Sequence, residues 1–434
     1  MPTVKHHHTA ALLQDWLATP LDALPQRMAR ADQTPTKDHD WFSLSCHLLA
    51  LPGTAPLNSF TLHAPLELLA RHRFMPHLAP ADRPLARLQM LATALMSAQQ
   101  RGCQAPAPAD LPSPRPQRPG TPADTAQALS QALDAGDPDH AQALATVLCE
   151  DAEACDTPEW CLMLAPVVRD RMGAAAHLPI FLNLLARLHE ADAGAALLAR
   201  PLLPALVREL AQQPDARVAW PPAGTGLLPG TAGGPDALTP HLLALRPLPQ
   251  PDASGIWPMV RQTLAAGRHL PLPGLVHTQA QQAMASACRV AAWSMLQEPL
   301  AKARYGWSHA LTLPQAWWGL SQALPPDAEL TRAHARLAAL HMAAMRSVMG
   351  TVQLAASPPE PMPDTQIQEA FRDCARQACI RADAHAVKYV LACMDAAHTA
   401  PQDAPLYLAA AQKLCADWVA SCPEHDILDQ LVHR

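Results

Sequence analysis

The 434-residue chain is poor in aromatic residues, 4% in all, with only 3 tyrosines and 5 phenylalanines. Sheets lean on aromatic and β-branched side chains, so this shortage argues for helices that approach closely through small residues. Runs of Lys or Arg are also missing. With 32 basic against 38 acidic residues and a formal charge of −6, nothing could neutralise a series of phosphates, which argues against nucleic acid as a partner. No stretch reaches about 18 uninterrupted apolar residues, so no membrane span is expected. Gln14 and Asp15 break the first apolar stretch before it could serve as a signal-peptide core, and a cytoplasmic protein is the expectation.

Further absences narrow the chemistry. None of the 11 cysteines forms a CxxC pair, which disfavours a zinc knuckle, and their irregular spacing suits reduced, buried thiols. The segment "GTGLLPG", Gly224 to Gly230, is not GxGxxG and follows no strand, so it is read as a loop and gives no flavin fingerprint. GxSxG and GKS/GKT do not occur. HExxH, ferritin-type ExxH and carboxylate pairs at ligand spacing are absent too.

What the chain does have is Ala and Leu in quantity, 46 prolines and 21 histidines. Proline, at about twice its usual share of about 5%, punctuates the sequence. The stretch "APAPADLPSPRPQRPGTP" reads as an extended linker or surface loop. It divides an N-terminal helical segment, 1–103, from a main helical domain, 123–434, with 104–122 between them and the two parts packed as one unit. Irregular zones are also expected at Trp220–Pro240 and Ser357–Asp364. Between the breaks a 3.6-residue period marks helices over 123–150, 174–213, 276–298, 328–354, 365–398 and 404–421. Asp364 is a candidate cap for the helix "TQIQEAFRDC". Pro314 suits the first turn of a helix capped by Thr312, which puts His309 just before that helix. The expected fold is all-α, a large irregular helical bundle with Pro-rich loops and an interior histidine-lined cavity.

The histidines carry the functional signal. His177 shares a helical face with Phe181, Leu184 and Leu188, and His277 one with Met284 and Cys288. His341 shares a face with His334 and Met345, and His385 one with Lys388 and Tyr389. A polar ring on an apolar face is costly unless a hydrogen-bond partner or a metal satisfies it. Singly, each is most simply a satisfied core residue; together, from separate helices, they would line a polar cavity for a metal, a haem or an acidic aromatic substrate. His334 and His341, seven residues apart, are separated by about 10 Å along their helix and cannot chelate one ion. In the N-terminal "HHHTAALL", successive residues diverge by about 100°, so at most two of the three imidazoles could face one site. Lys388, one turn from His385, reads either as a base of depressed pKa or anion clamp, or as a snorkelling side chain.

Four segments resemble the questin oxidase-like family, helical proteins of fungal and bacterial secondary metabolism. They are "HHHTAALL", "GAAAHLPIFLNLLARLHEAD", "LVHTQAQQAMASACR" and "DAHAVKYVLACMDAA", the last similar to the family's Asp-x-His-x-x-Lys helix. The resemblance implies an oxidoreductase of monooxygenase type, performing oxygen-dependent, Baeyer–Villiger-type oxidation of an aromatic polyketide-like or other small organic substrate, with NADPH as reductant. It places functional weight on His7, His8, His177, His277, Thr278, His385 and Lys388. Combined with the residue pattern, the candidates are His277, His309, His385 and Lys388 for catalysis, and His177, Thr278, Trp307 and Trp317 for substrate. Metal candidates, iron or haem, are His7, His8, His177, His277 and His385. The competing readings are a non-catalytic helical scaffold and a metal- or haem-binding protein without turnover.

Overall fold

The computed structural model describes residues 11–31, 38–55, 59–104, 120–150, 156–169, 171, 173–212, 238–245, 256–266, 280–324, 328–357, 359–381 and 383–421. Among these the chain is helical, with no strand, as the period and the shortage of aromatics predict. In order the helices are α1 (11–17), α2 (Leu24–Ala31), α3 (Asp38–Ala50), α4 (Ser59–Phe74), α5 (Arg83–Gln100), α6 (Pro122–Ala135), α7 (Pro138–Glu150), α8 (Thr157–Arg169) and α9 (Gly173–Ala191). There follow α10 (Ala193–Ala199), α11 (Leu203–Ala211), α12 (Leu238–Ala244), α13 (Ile256–Ala266), α14 (Ala280–Gln297) and α15 (Leu300–Ser321). The last four are α16 (Glu329–Met349), α17 (Asp364–Cys379), α18 (Ala384–Thr399) and α19 (Ala404–Ser421). No described helix is long and apolar enough to cross a membrane. The His6–His8 triplet, His277, Thr278, and most of the Pro-rich 104–122 and 220–240 stretches lie outside the described residues.

Local chemistry explains several boundaries. Thr121 and Asp124 form a reciprocal capping box at the start of α6, and Gly136, at φ +66°, ends that helix in the left-handed region. The periodic stretch 123–150 is therefore two helices, because glycine takes this conformation at no steric cost. Asp364 is the first residue of α17 rather than its cap; Pro363 holds the cap position and no side chain caps it. Asp364 instead puts negative charge in the first turn, where the helix dipole favours it.

Pro314 departs further from expectation. It lies in the interior of α15, which runs unbroken from Leu300 to Ser321, so Thr312 caps nothing and His309 is mid-helix. A proline here forfeits the bond to the carbonyl of Ala310. The compensating gain is burial: Trp307, Ala310, Leu311, Leu313, Ala316 and Trp317 are all in the core. Burying such side chains brings on the order of 1.5–3 kcal/mol each for the large ones.

The arrangement that matters for function is a closed ring of four helices: α4 packs on α9, α9 on α15, α15 on α18, and α18 back on α4. Small residues let these helices approach. A Cβ at Gly319 of α15 would lie 2.0 Å from Asn183 Oδ1 of α9, and Asn183 donates to Gln315 at 3.1 Å. Around the ring, α14, α16 and α19 cover α15 and α18, while α3 and α5 cover α4. The nine cysteines among the described residues are free thiols, eight of them buried.

Candidate functional site: a buried imidazole cluster

Each helix of the ring sends one imidazole inward. His63 comes from α4, His177 from α9, His309 from α15 and His385 from α18. Ring centroids are 4.2 Å apart for His63 and His177, 4.4 Å for His63 and His385, and 5.0 Å for His309 and His385. His177 and His309 are separated by 5.7 Å, and the diagonal pair His63 and His309 by 6.0 Å. One ring nitrogen from each of His63, His177 and His309 lies within 4.8 Å of the other two. His177 is 1% exposed, and neither of its nitrogens has a hydrogen-bond partner.

Lys388, on the same face of α18 as His385, is 3% exposed, and its Nζ has no hydrogen-bond partner. It does not snorkel. Burial pushes its pKa down from the usual 10.5 to about 7, against the pull of Asp383 and Glu67. Burial likewise holds His177 well below the ordinary imidazole range, helped by His63, Lys388, His309 and His385. His385 is lowered by burial and by Lys388. His177 and His385 are thus neutral near pH 7 and keep a lone pair each.

A second layer fixes the start of α18. Asp383 caps it, accepting from His385 N at 2.7 Å and Ala386 N at 3.0 Å, and lies 3.6 Å from His385 Nδ1. Burial raises the Asp383 carboxyl to about 6 despite those backbone bonds. The turn before it is held from α4 and α5. Arg71 donates to the carbonyls of Cys379 and Arg381, and Gln89 to Ile380 at 3.2 Å. Arg71 is itself anchored to Glu67 Oε1, its Nε at 3.0 Å, and Glu67 also accepts from Thr93 at 3.1 Å. Orphan carbonyls at the C-terminus of α17 are thereby satisfied, and the register of His385 and Lys388 is set.

Of the predicted site residues, the structure brings together His177, His309, His385 and Lys388. Trp317 stacks on His334, with centroids 4.6 Å apart, and Trp307 lies under Arg346; both indole N–H groups are buried without an acceptor. His334 bonds Ser321 at 2.8 Å and His341 reaches the backbone carbonyl of His309 at 3.3 Å, so these two serve other contacts. The sequence reading missed His63, Glu67 and Arg71. Their spacing of four and four in "HAPLELLAR" puts them on one helical face and was the available signal.

One turn beyond Lys388, Leu391 lines a cleft of about 700 Å³ between α17 and α18. Phe371, Ile367 and Met394 give it apolar walls, and its rim mixes both signs of charge, with Arg73 paired to Asp395 and Arg187 to Glu190. Comparison with protein-family models, with curated proteins and with solved structures gave no match.

Proposed function

We propose that the imidazole cluster is the active centre of an oxidoreductase acting on a small aromatic molecule with dioxygen. The observation that carries this reading is the convergence of His63, His177, His309 and His385 from four helices beside the buried amine of Lys388. Four separate helices each place a polar ring at one buried point, the kind of gathering of perturbed titratable groups that functional sites show. An amine with a pKa of about 7 is suited to take a proton from a phenol and hold the resulting phenolate near neutral pH. His385, oriented by Asp383, stands next to it for a second proton transfer.

The reaction type comes from the resemblance to questin oxidase-like proteins. In a Baeyer–Villiger-type oxidation one oxygen atom enters between a carbonyl carbon and its neighbour. The other leaves as water, with two electrons from NADPH. NADPH and iron belong to this reading through the resemblance. Three close imidazoles suit a metal ion, which when bound would supply redox or Lewis-acid chemistry. Centroids 4.2–6.0 Å apart leave no slot for a porphyrin between the rings, and haem is not carried forward. The cleft at Leu391 and Phe371 is the docking place for the aromatic substrate in this scheme. The same reading keeps a cytoplasmic setting with a small molecule, rather than nucleic acid or membrane, as the partner.

The test is oxygen uptake by the full chain with NADPH and a panel of polycyclic phenols and quinols. Uptake matched by NADPH oxidation is expected, with kcat lowered on the order of 100-fold in Lys388→Met. No uptake with any panel member, together with His309→Ala and His385→Ala variants that lose only melting temperature, would sink the proposal. The bare nitrogens of His177 also favour a metal-binding protein without turnover, and bound metal without oxygen uptake selects that reading.

A further inference from the structure

A separate pair of imidazoles meets a carboxylate away from the ring of helices. His72 lies nine residues beyond His63, about 13 Å further along α4. Its ring stacks on Phe42 of α3, with centroids 4.0 Å apart. Asp192 caps α10, accepting from Ala195 N through Oδ1 at 3.0 Å. Its other oxygen, Oδ2, faces two ring nitrogens: His72 Nε2 at 3.8 Å and His39 Nδ1, in the first turn of α3, at 3.9 Å. Both separations are longer than a hydrogen bond. Nor is the contact with His72 an ion pair near pH 7, because burial pushes that imidazole down to about 4 against the pull of Asp192. His72 is 8% exposed, and its Nδ1 is buried without a partner. A neutral ring and a carboxylate this far apart leave a gap that no hydrogen bond fills, and a cation between them would answer both.

We infer that His39, His72 and Asp192 form a site near the surface for one divalent transition ion, with two imidazoles and one carboxylate as ligands and water completing its shell. Imidazole donors select this class of ion over Mg²⁺ and Ca²⁺, which take oxygen ligands. Bonds of about 2.0–2.2 Å put neighbouring ligand atoms about 3–3.5 Å apart, so the present gaps need only a small closure. His72 and Asp192 are held, one by its stack on Phe42 and the other by its cap. His39, with a side chain 46% exposed, is the ligand free to swing, and histidine χ2 is a broad torsion. No side chain stands between it and the carboxylate. They meet over bare Gly194, where a Cβ would lie 3.4 Å from Asp192 Oδ1 and 3.7 Å from His39 Cε1. Asp38, beside His39, is engaged by Arg83 and Arg87, so Asp192 supplies the negative charge. An ion here would clamp α3 and α4 to the start of α10, joining chain on either side of the Pro-rich stretch. The inference is independent of the reaction proposed above.

The experiment uses the full chain with His6, His7 and His8 changed to Ala, so that the N-terminal triplet contributes nothing. It is purified without metal-affinity steps, stripped with a chelator, titrated with Zn²⁺ by calorimetry, and melted with and without Zn²⁺. Against this parent, His39→Ala and Asp192→Asn should each lose one equivalent of Zn²⁺, or bind it on the order of 100-fold more weakly. Any equivalent held elsewhere in the chain should stay. His39 is exposed and Asn is as good a helix cap as Asp, so both variants should melt like the parent when metal is absent. Zn²⁺ should raise the melting temperature of the parent, and both variants should lose part of that rise. An equivalent retained at full affinity in either variant overturns the inference, as does a parent that takes up no Zn²⁺.

Discussion

Two buried polar clusters in this protein are built on opposite plans. Around Glu298 nearly every group is answered. Arg346 of α16 pairs with Glu298 and donates to the carbonyls of Val352 at 2.8 Å and Leu245 at 3.3 Å. Glu298 also accepts from Thr351 N at 2.9 and 3.0 Å and from Thr351 Oγ1 at 2.6 Å. The ion pair is out of contact with solvent, at 0% and 1% side-chain exposure, and its bonds fasten the end of α16 to the end of α14. At the imidazole ring of helices the same degree of burial comes with His177 and Lys388 lacking hydrogen-bond partners. The first cluster ties chain segments together; the second gathers polar groups that tie nothing together through hydrogen bonds of His177 or Lys388.

The largest effect that would test this contrast is at the saturated cluster. Glu298→Ala leaves a buried guanidinium without its counter-charge and should cost about 3–5 kcal/mol, read as a fall in the urea midpoint, with Zn²⁺ uptake retained in the fraction that stays folded. At the bare cluster, Lys388→Met should do the reverse. Exchanging an unpartnered amine for an apolar chain of similar length should be neutral or stabilising by up to about 1 kcal/mol, while oxygen uptake collapses. If Lys388→Met unfolds the chain as Glu298→Ala does, the distinction between the two clusters fails.

A pH titration gives a subtler measure. Lys388 has a folded pKa of about 7 against 10.5 unfolded, so between those values the unfolded chain binds more protons. Stability of the metal-free protein should therefore rise from about pH 7 towards 10.5, and Lys388→Met should flatten that rise. Asp383, raised from 3.8 to about 6, acts in the other direction. There the folded chain binds the extra proton, so its contribution falls as pH increases from about 4 to 6. Denaturant melts across both windows, repeated on Asp383→Asn, separate the two slopes. The smallest expected effect is Ser321→Ala, which removes the 2.8 Å partner of His334 and should cost about 1 kcal/mol, with metal uptake unchanged. A larger cost would mean that His334, too, belongs to the functional network.

Much of this architecture was legible in the order of residues. The stretch 404–421 is α19 to the residue, and 276–298 and 328–354 contain α14 and α16, because a long apolar period with few prolines leaves little choice. His177, His385 and Lys388 were legible as polar groups on apolar helical faces. The local rule for proline puts His309 just outside its helix, whereas tertiary burial of Trp307, Leu311 and Trp317 keeps the helix running through it. His63 was harder to read for a related reason, although its spacing from Glu67 and Arg71 puts all three on one helical face. In α4 the charged pair Glu67 and Arg71 gives that face a solvated look, yet both are buried, since each answers the other and Arg71 answers the carbonyls ahead of α18. Mutual satisfaction between distant segments is a property of the folded chain, and no window of sequence displays it.

Pro65, Pro179 and Pro314 each sit inside a helix that carries an imidazole of the cluster. Each removes one rung from the backbone ladder, at the carbonyls of Thr61, Ala175 and Ala310, all within two residues of His63, His177 or His309. Three of the four walls around the rings therefore each lack one backbone hydrogen bond at the height of the imidazoles, and three main-chain carbonyls there lose their usual helical donor.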